Sequence, residues 1–295
     1  MNGDLSDSGW LTDAFEQERP RLQAVAYRML GSVSDSEDAV QEAWIRLRKT
    51  DAAIVNLAGW LTIVVGRVCL DMLRARNARR EDYIGSWLPE PIVTVDQGPT
   101  PEQETVIADS VGLALLVVLE TLSPPERLAF VLHDMFGVPF DEIAPIVDRS
   151  SEAARQLASR ARRRVRGAAP VPDGDVSAQW EVVEAFLAAG RDGDFEALVA
   201  LLDPDVVLRA DGGGTGLSHF VRGAEKVAAQ AVMYRRVGLT PHRALVNGAP
   251  GMVTFRDGEP FSVAAVTVRR GRIVEMDFLT DPERLAKLDL SVFED

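Results

Sequence analysis

Apolar residues recur three or four positions apart through much of the first 166 residues, and they alternate with polar ones in several stretches nearer the C-terminal end. The first rhythm predicts amphipathic helices and the second predicts strands. In SDSEDAVQEAWIRL, Val40, Trp44 and Leu47 fall on one helical face while Gln41 and Glu42 point elsewhere. Ser34 is the expected N-cap, with Glu37 completing a capping box and Asp35 and Asp38 favouring the helix N-terminus. GWLTIVVGRVCLDMLRARNARR predicts a second helix with Trp60, Val64, Val68 and Leu70 inward and a basic end at Arg74, Arg76, Arg79 and Arg80.

Residues 120–166 predict a helix-turn-helix. PPERLAFVLHDMF forms one helix, Gly137 breaks it, PFDEIAPIV forms the second, and Ser150 caps the third. On that third helix Ala154, Ala158, Ala161 and Val165 make a narrow apolar stripe that packs inward. Arg155, Gln156, Ser159, Arg160 and Arg163 are left facing outward, with side chains suited to phosphates and base edges.

Beyond Gln179 the pattern predicts helices followed by strands. WEVVEAFLAAGRDGDFEALVALL reads as two helices split at Gly193, DVVLRADGGG begins as a strand, and GAEKVAAQAVMYRR is a third helix. The remainder alternates and turns as three or four strands. Helices on a curved antiparallel sheet, an α+β cone, are the expected result. Asp211 with Gly212, Gly213 and Gly214 predicts a tight, exposed turn usable for contact. His219, His242 and Asp211 are the candidate catalytic groups of this part, but no paired acid and base is visible, and no enzyme activity is expected.

Two breaks divide the chain. GSWLPEPIVTVDQGPTPEQE holds Pro89, Pro91, Pro99 and Pro101 and predicts an extended linker. GAAPVPDGD, residues 167–175, is the second. The expected organisation is 1–82, a linker at 83–109, 110–168, and 175–295. A length of 295 residues suits two or three units of roughly 100 residues each.

Charge sharpens this picture. The formal net charge is −13, yet Arg149, Arg155, Arg160, Arg162, Arg163 and Arg164 crowd one short stretch against the single acid Glu152. A locally basic helix on an acidic chain predicts a phosphate-facing edge. Cys69 is the only cysteine, so neither an intramolecular disulfide nor a multi-cysteine metal site is possible, which fits a reducing cytosol. The polar, acidic start is no signal peptide, and VGLALLVVL falls short of the about 20 residues that span a bilayer. A cytoplasmic protein without cofactor or metal is expected.

The blocks DSEDAVQEAWIRL, AGWLTIVVGRVCLDMLRARNARRE, LETLSPPERLAFVLHDMFGVPFDEIA and SEAARQLASRARRRV together resemble the extracytoplasmic-function (ECF) family of RNA polymerase sigma factors. WLPEP at 87–91, DGGG at 211–214 and the C-terminal extension are similar to its SigJ-like group, whose added domain is SnoaL-like. Thr215 and the segment DPERL at 281–285 depart from the group's pattern. The resemblance implies two all-α domains, a sigma helical bundle and a helix-turn-helix, followed by the α+β SnoaL-like cone. It implies core RNA polymerase and promoter DNA as partners, with the question of an anti-sigma factor open, no membrane, and a monomer.

By the same resemblance Asp38, Gln41, Glu42 and Trp44 belong to the helix that docks on polymerase. VNLAGW, with Asn56, Leu57 and Trp60, captures an unstacked base of the −10 element. Arg67, Asp71, Arg74, Arg79 and Arg80 line the adjacent DNA path, and the third helix of the other domain, with Arg149 and Ser151 at its start, reads the −35 element. In the linker, Trp87 and Leu88 are apolar anchors, and Pro89 and Pro91 around Glu90 stiffen the chain for docking on the Asp211 turn. The other reading is that Trp87 packs on its own helical module. A helix-turn-helix regulator with a small-molecule-sensing C-terminal part is the functional alternative to a sigma factor.

Overall fold

The computed structural model describes residues 4–50, 54–79, 87–95, 112–213, 218–234 and 239–293. The chain divides into two compact units, one of residues 1–82 and 118–168, the other of residues 83–117 and 169–295. Arg80, Gly214 and Thr215 lie outside the described residues, as does the side chain of Arg79.

The first unit opens with α1 (Asp4–Leu30), α2 (Val33–Arg48) and α3 (Leu57–Arg79). Gly31, at φ 64°, ends α1 in the left-handed conformation that glycine adopts without penalty. Ser32 is then extended and caps α2, its hydroxyl accepting from the Asp35 amide at 3.4 Å. The cap therefore stands two residues ahead of the expected Ser34, because Gly31 already releases the chain for a new helix. Phe15, Leu22, Met29, Val40, Leu47, Leu61, Val65 and Leu70 form the buried core. Trp60 and Val64 are only half-buried, against expectation. α3 is apolar on more than one side, and its Leu61–Val65–Val68 side is the one turned to the core.

The same unit contains α5 (Pro124–Phe130), which continues through a π-helical turn, Val131–Met135, then α6 (Phe140–Ile143) and α7 (Ser151–Ala168). The helix α4 (Leu113–Glu120) leads into it. A capping box between Ser123 and Glu126 starts α5. α6 is shorter than expected because Pro145 lacks an amide hydrogen and disfavours helix at Ala144. Ala154, Ala158 and Ala161 of α7 are fully buried, as the apolar stripe predicts. The two helical modules share packing: a Cβ at Gly66 would lie 3.1 Å from Leu132 Cδ1, so glycine sets the approach of α3 to α5 and its extension. Arg127, almost fully buried, donates to the Arg28 carbonyl at 3.0 Å and to Glu120 at 2.5 Å.

The second unit is built on a seven-stranded sheet in the order β1-β4-β5-β6-β7-β2-β3. Its strands are β1 (Val93–Thr94), β2 (Leu202–Asp211), β3 (His219–Arg222), β4 (Thr240–Val246), β5 (Ala249–Arg256), β6 (Glu259–Arg269) and β7 (Arg272–Leu279). The helices α8 (Val176–Asp192), α9 (Phe195–Leu201) and α10 (Ala224–Tyr234) pack on it, and α11 (Pro282–Leu285) follows β7. Asn247–Gly248, Asp257–Gly258 and Arg270–Gly271 all have positive φ, the twist that two-residue hairpins require. The expected all-antiparallel sheet is instead mixed, since β2 pairs with β7 in parallel. That pairing is open to strands joined by a long connection, and four other strands lie between these two in the chain. Trp180, Val183, Phe186, Leu198, Val206, Val227, Val266 and Met276 make the core.

Candidate nucleic-acid interface and linker site

α3 is started by Asn56, whose Oδ1 accepts from the Gly59 amide at 3.0 Å. This cap fixes the first turn and so aims Trp60. Trp60, Ile63, Val64 and Arg67 form one wall of a cleft of about 410 Å³, and Arg46, Lys49 and Thr50 at the end of α2 form the other. An indole beside three cations suits a stacked base with its phosphates. Asp71 and Arg74 continue the exposed stripe along α3 and pair at 3.7 Å. Arg46, Lys49 and Thr50 did not stand out in the sequence; Arg46 and Lys49 look like ordinary basic residues at a helix C-terminus. Asn56 serves locally as a cap, and Leu57 is half-buried beside it.

On α2 the sequence-predicted docking residues divide. Asp38 and Gln41 are exposed one turn apart, and Ile45 joins them as an exposed apolar residue. Glu42 instead holds Arg46 at 2.8 Å, and Trp44 packs on Phe15 with ring centroids 4.8 Å apart.

The third helix, α7, sorts its cations by face. Gln156, Ser159 and Arg163 are exposed at spacings of three and four, and Arg149 is exposed before the helix start. Ser151 is half-buried. Arg155 holds Glu152 at 2.6 Å and lies 5.4 Å from the Phe140 ring centroid. Arg160 is exposed, as expected, and its Nε also donates to Glu126 at 3.0 Å, while Arg164 reaches the same carboxylate at 3.1 Å. The Arg160 guanidinium is turned toward α5 because Glu126 is nearly buried and demands cationic partners. Burial opposes ionisation of Glu126, but bonds from Ser123 and Arg160, with the charge of Arg164, outweigh it and hold the carboxyl below its usual range. Arg162 is bound to Asp134 at 2.5 Å.

In the second unit Leu88, Pro89 and Pro91 are buried. The Leu88 amide donates to Asp211 Oδ2 at 2.8 Å. Arg284 closes the arrangement, donating to Asp211 Oδ2 at 2.5 Å and to the Leu88 carbonyl at 2.6 Å, with its guanidinium 4.2 Å from the Trp87 ring centroid. Glu90 is half-buried between the two prolines. Further along, the Ile92 amide donates to Asn247 Oδ1 at 3.1 Å and the Ile92 carbonyl accepts from the Asn247 amide at 2.8 Å, after which β1 pairs with β4. Asp211 is fully buried, and Gly212 and Gly213 with it, which corrects the exposed turn expected from the sequence. Three donors, on Leu88, Arg284 and Gly213, allow the carboxylate to be buried. Arg284 lies in DPERL, where the sequence offered only a departure from a pattern.

The candidate catalytic groups stand in different settings. Asp211 is held as above, His219 lies 3.3 Å from Gln230 Oε1, and His242 packs edge-on against Phe255. Among the described residues no cluster of three or more His, Cys, Asp or Glu could hold a metal, and no helix is long and apolar enough to cross a membrane.

A three-helix unit with a basic, tryptophan-walled cleft, joined to a helix-turn-helix, defines a promoter-recognition protein of the sigma type. Residues 14–79 match sigma-70 region 2, and residues 112–165 match sigma-70 region 4. The chain is 41% identical over 286 residues to the ECF RNA polymerase sigma factor SigJ of Mycobacterium tuberculosis, covering 92% of this chain and 91% of that one. It is 32% identical over 301 residues to the probable ECF sigma factor SigI of the same species, covering 96% and 98%. The crystal structure of M. tuberculosis SigJ matches with a TM-score of 0.77 at 38% identity, over 95% of this chain and 99% of that one. The chain belongs to the ECF RNA polymerase sigma factors. It is an alternative sigma factor, and the ligand-sensing repressor reading is not favoured, because such a repressor has no use for region 2.

Proposed function

We propose that residues 1–82 bind core RNA polymerase through the Asp38–Gln41 face of α2 and open the −10 element at the Trp60 cleft. Residues 110–168 read the −35 element with Arg155, Gln156, Ser159 and Arg160, while Arg163 holds the phosphates beside them and Arg149 and Ser151 steady the start of the helix on the backbone. Residues 175–295 grip the linker 83–109 at Trp87–Pro91 and modulate activity in cis. The observation that carries the reading is the cleft in which Trp60 meets Arg46, Lys49 and Arg67, since base capture needs an aromatic platform with cations beside it.

Two DNA-binding regions act together only when the chain between them permits both contacts, so a held linker is a natural control point. The protein works as a monomer in the cytoplasm, without cofactor, and catalyses no reaction of its own. The separate settings of Asp211, His219 and His242 support that last point. Run-off transcription with purified core polymerase tests the whole reading, with permanganate probing of promoter thymines for the cleft. Trp60→Ala should leave closed binding intact and abolish thymine reactivity. Normal melting by that variant would remove the cleft from the mechanism, and no transcript from any promoter would overturn the assignment to initiation.

A further inference from the structure

Within the second unit, α8, α10 and one face of the sheet enclose a cavity of about 530 Å³, a size in the range of small-molecule sites, roughly 300–1,000 Å³. Phe186, Leu208, Met252, Met276 and Phe278 give it apolar walls. Its charged lining is one-sided. Arg191, at the end of α8, and Arg256, at the end of β5, both contribute, and among the described residues no carboxylate does. That is notable in a stretch, residues 167–295, where 20 acids outnumber 13 basic residues.

The remaining polar lining groups are largely occupied with one another: Thr254 Oγ1 lies 2.5 Å from Ser262 Oγ, and His219 Nε2 lies 3.3 Å from Gln230 Oε1. Arg191 and Arg256 have no ion-pair partner among the described residues. Arg256 rests its flat face on Phe261 at 4.7 Å, which leaves the N–H edges of the guanidinium available. Apolar walls exclude a sugar or a nucleotide, and guanidinium edges select a planar anion by paired hydrogen bonds.

The cavity wall also touches the linker site. Ala210 and Thr280 line the cavity. The next residue, Asp211, projects to the opposite face of β2 and binds Leu88, and its carbonyl accepts from the Thr280 amide at 2.7 Å and hydroxyl at 3.2 Å. One strand end therefore has the cavity on one side and the linker on the other.

We infer that the cavity is a binding site for a small apolar monocarboxylate, of roughly 10–20 non-hydrogen atoms, whose head group meets Arg191 and Arg256 and whose occupancy is felt by the linker through Ala210, Asp211 and Thr280. The second half rests on the proposed role of the linker only for its biological meaning; the binding does not.

The test uses the full-length protein without polymerase or DNA, so its failure and the failure of the transcription reading are separable. Decanoate, decanol and decyltrimethylammonium are titrated by calorimetry, and amide exchange of residues 87–95 is followed at saturation. Decanoate should bind at least about tenfold more tightly than decanol, the value of one charge-assisted contact, and the ammonium should bind more weakly still. The double variant Arg191→Gln, Arg256→Gln should remove the preference while leaving decanol binding unchanged. Both side chains are exposed, and thermal melting checks that the variant is folded. Linker exchange should change by at least about threefold on saturation. Equal affinity for acid and alcohol, no decanoate binding, or a preference that survives the double variant would each overturn the site. Saturation with unchanged linker exchange would overturn the coupling.

Discussion

Replacing Arg284 with Ala removes three interactions at once: the bond to Asp211, the bond to the Leu88 carbonyl, and the guanidinium lying over Trp87. Asp211, fully buried in the native protein, then loses its guanidinium partner while the Leu88 and Gly213 amides still donate to it. Breaking a buried pair costs about 3–5 kcal/mol because the survivor is left as an uncompensated charge. The Arg284 side chain is 13% exposed, so water reaches the gap and a loss of about 2–3 kcal/mol is the better expectation. A local opening made easier by that amount accelerates amide exchange roughly 30- to 150-fold. The assay is exchange at the Leu88 amide under native conditions, alongside denaturant unfolding of the same protein. Arg284→Lys should fall between the two, since an ammonium keeps the charge but cannot serve Asp211 and the Leu88 carbonyl in one plane. Unchanged Leu88 exchange in Arg284→Ala, with the variant folded, would refute the idea that this arginine closes the linker site.

Gln156→Ala should cost about 1–3 kcal/mol on the −35 element with loss of base preference, whereas Arg163→Ala should weaken all sequences alike and lower the salt slope by about 0.9, both read by binding isotherms at several salt concentrations. Because the folded pKa of Glu126 lies below its unfolded value, its stabilisation is present above the ordinary carboxylate pKa and is lost as pH falls through the folded pKa. The melting temperature of the first unit should therefore drop as acid is added below about pH 5, and Glu126→Gln should flatten part of that drop. Burial pushes the Cys69 thiol up, so a disulfide reagent should leave the native protein unmodified and label it fully once unfolded.

The helical half was legible because periodicity reports directly on burial. The stripe Ala154, Ala158 and Ala161 carried the inward face of α7, and the same spacing carried Gln156, Ser159 and Arg163 outward. Periodicity assigns a face, not a partner, which is why Arg160 could not be seen to reach Glu126, 34 positions earlier. Local chemistry misled where two equivalent residues competed, as with Ser32 and Ser34, and the decision fell to Gly31. In the other half the strands were visible, but the parallel pairing of β2 with β7 depends on the order of strands in space, which alternation does not encode. WLPEP and Asp211 were both recognisable as binding chemistry. The burial of Asp211 was not, because it needs Arg284, 73 residues away.

The two-residue strand β1 has a consequence for the solubility of the second unit. It occupies the outer edge of β4, where backbone amides and carbonyls would otherwise be open to pairing with another chain. A fragment beginning at residue 175 would lack this cover and the packing of Leu88, Pro89 and Pro91, and should self-associate through its sheet edge. Any event that lifts the linker off the full-length protein exposes the same edge, so release of the linker offers a neighbouring molecule a strand-shaped vacancy to fill.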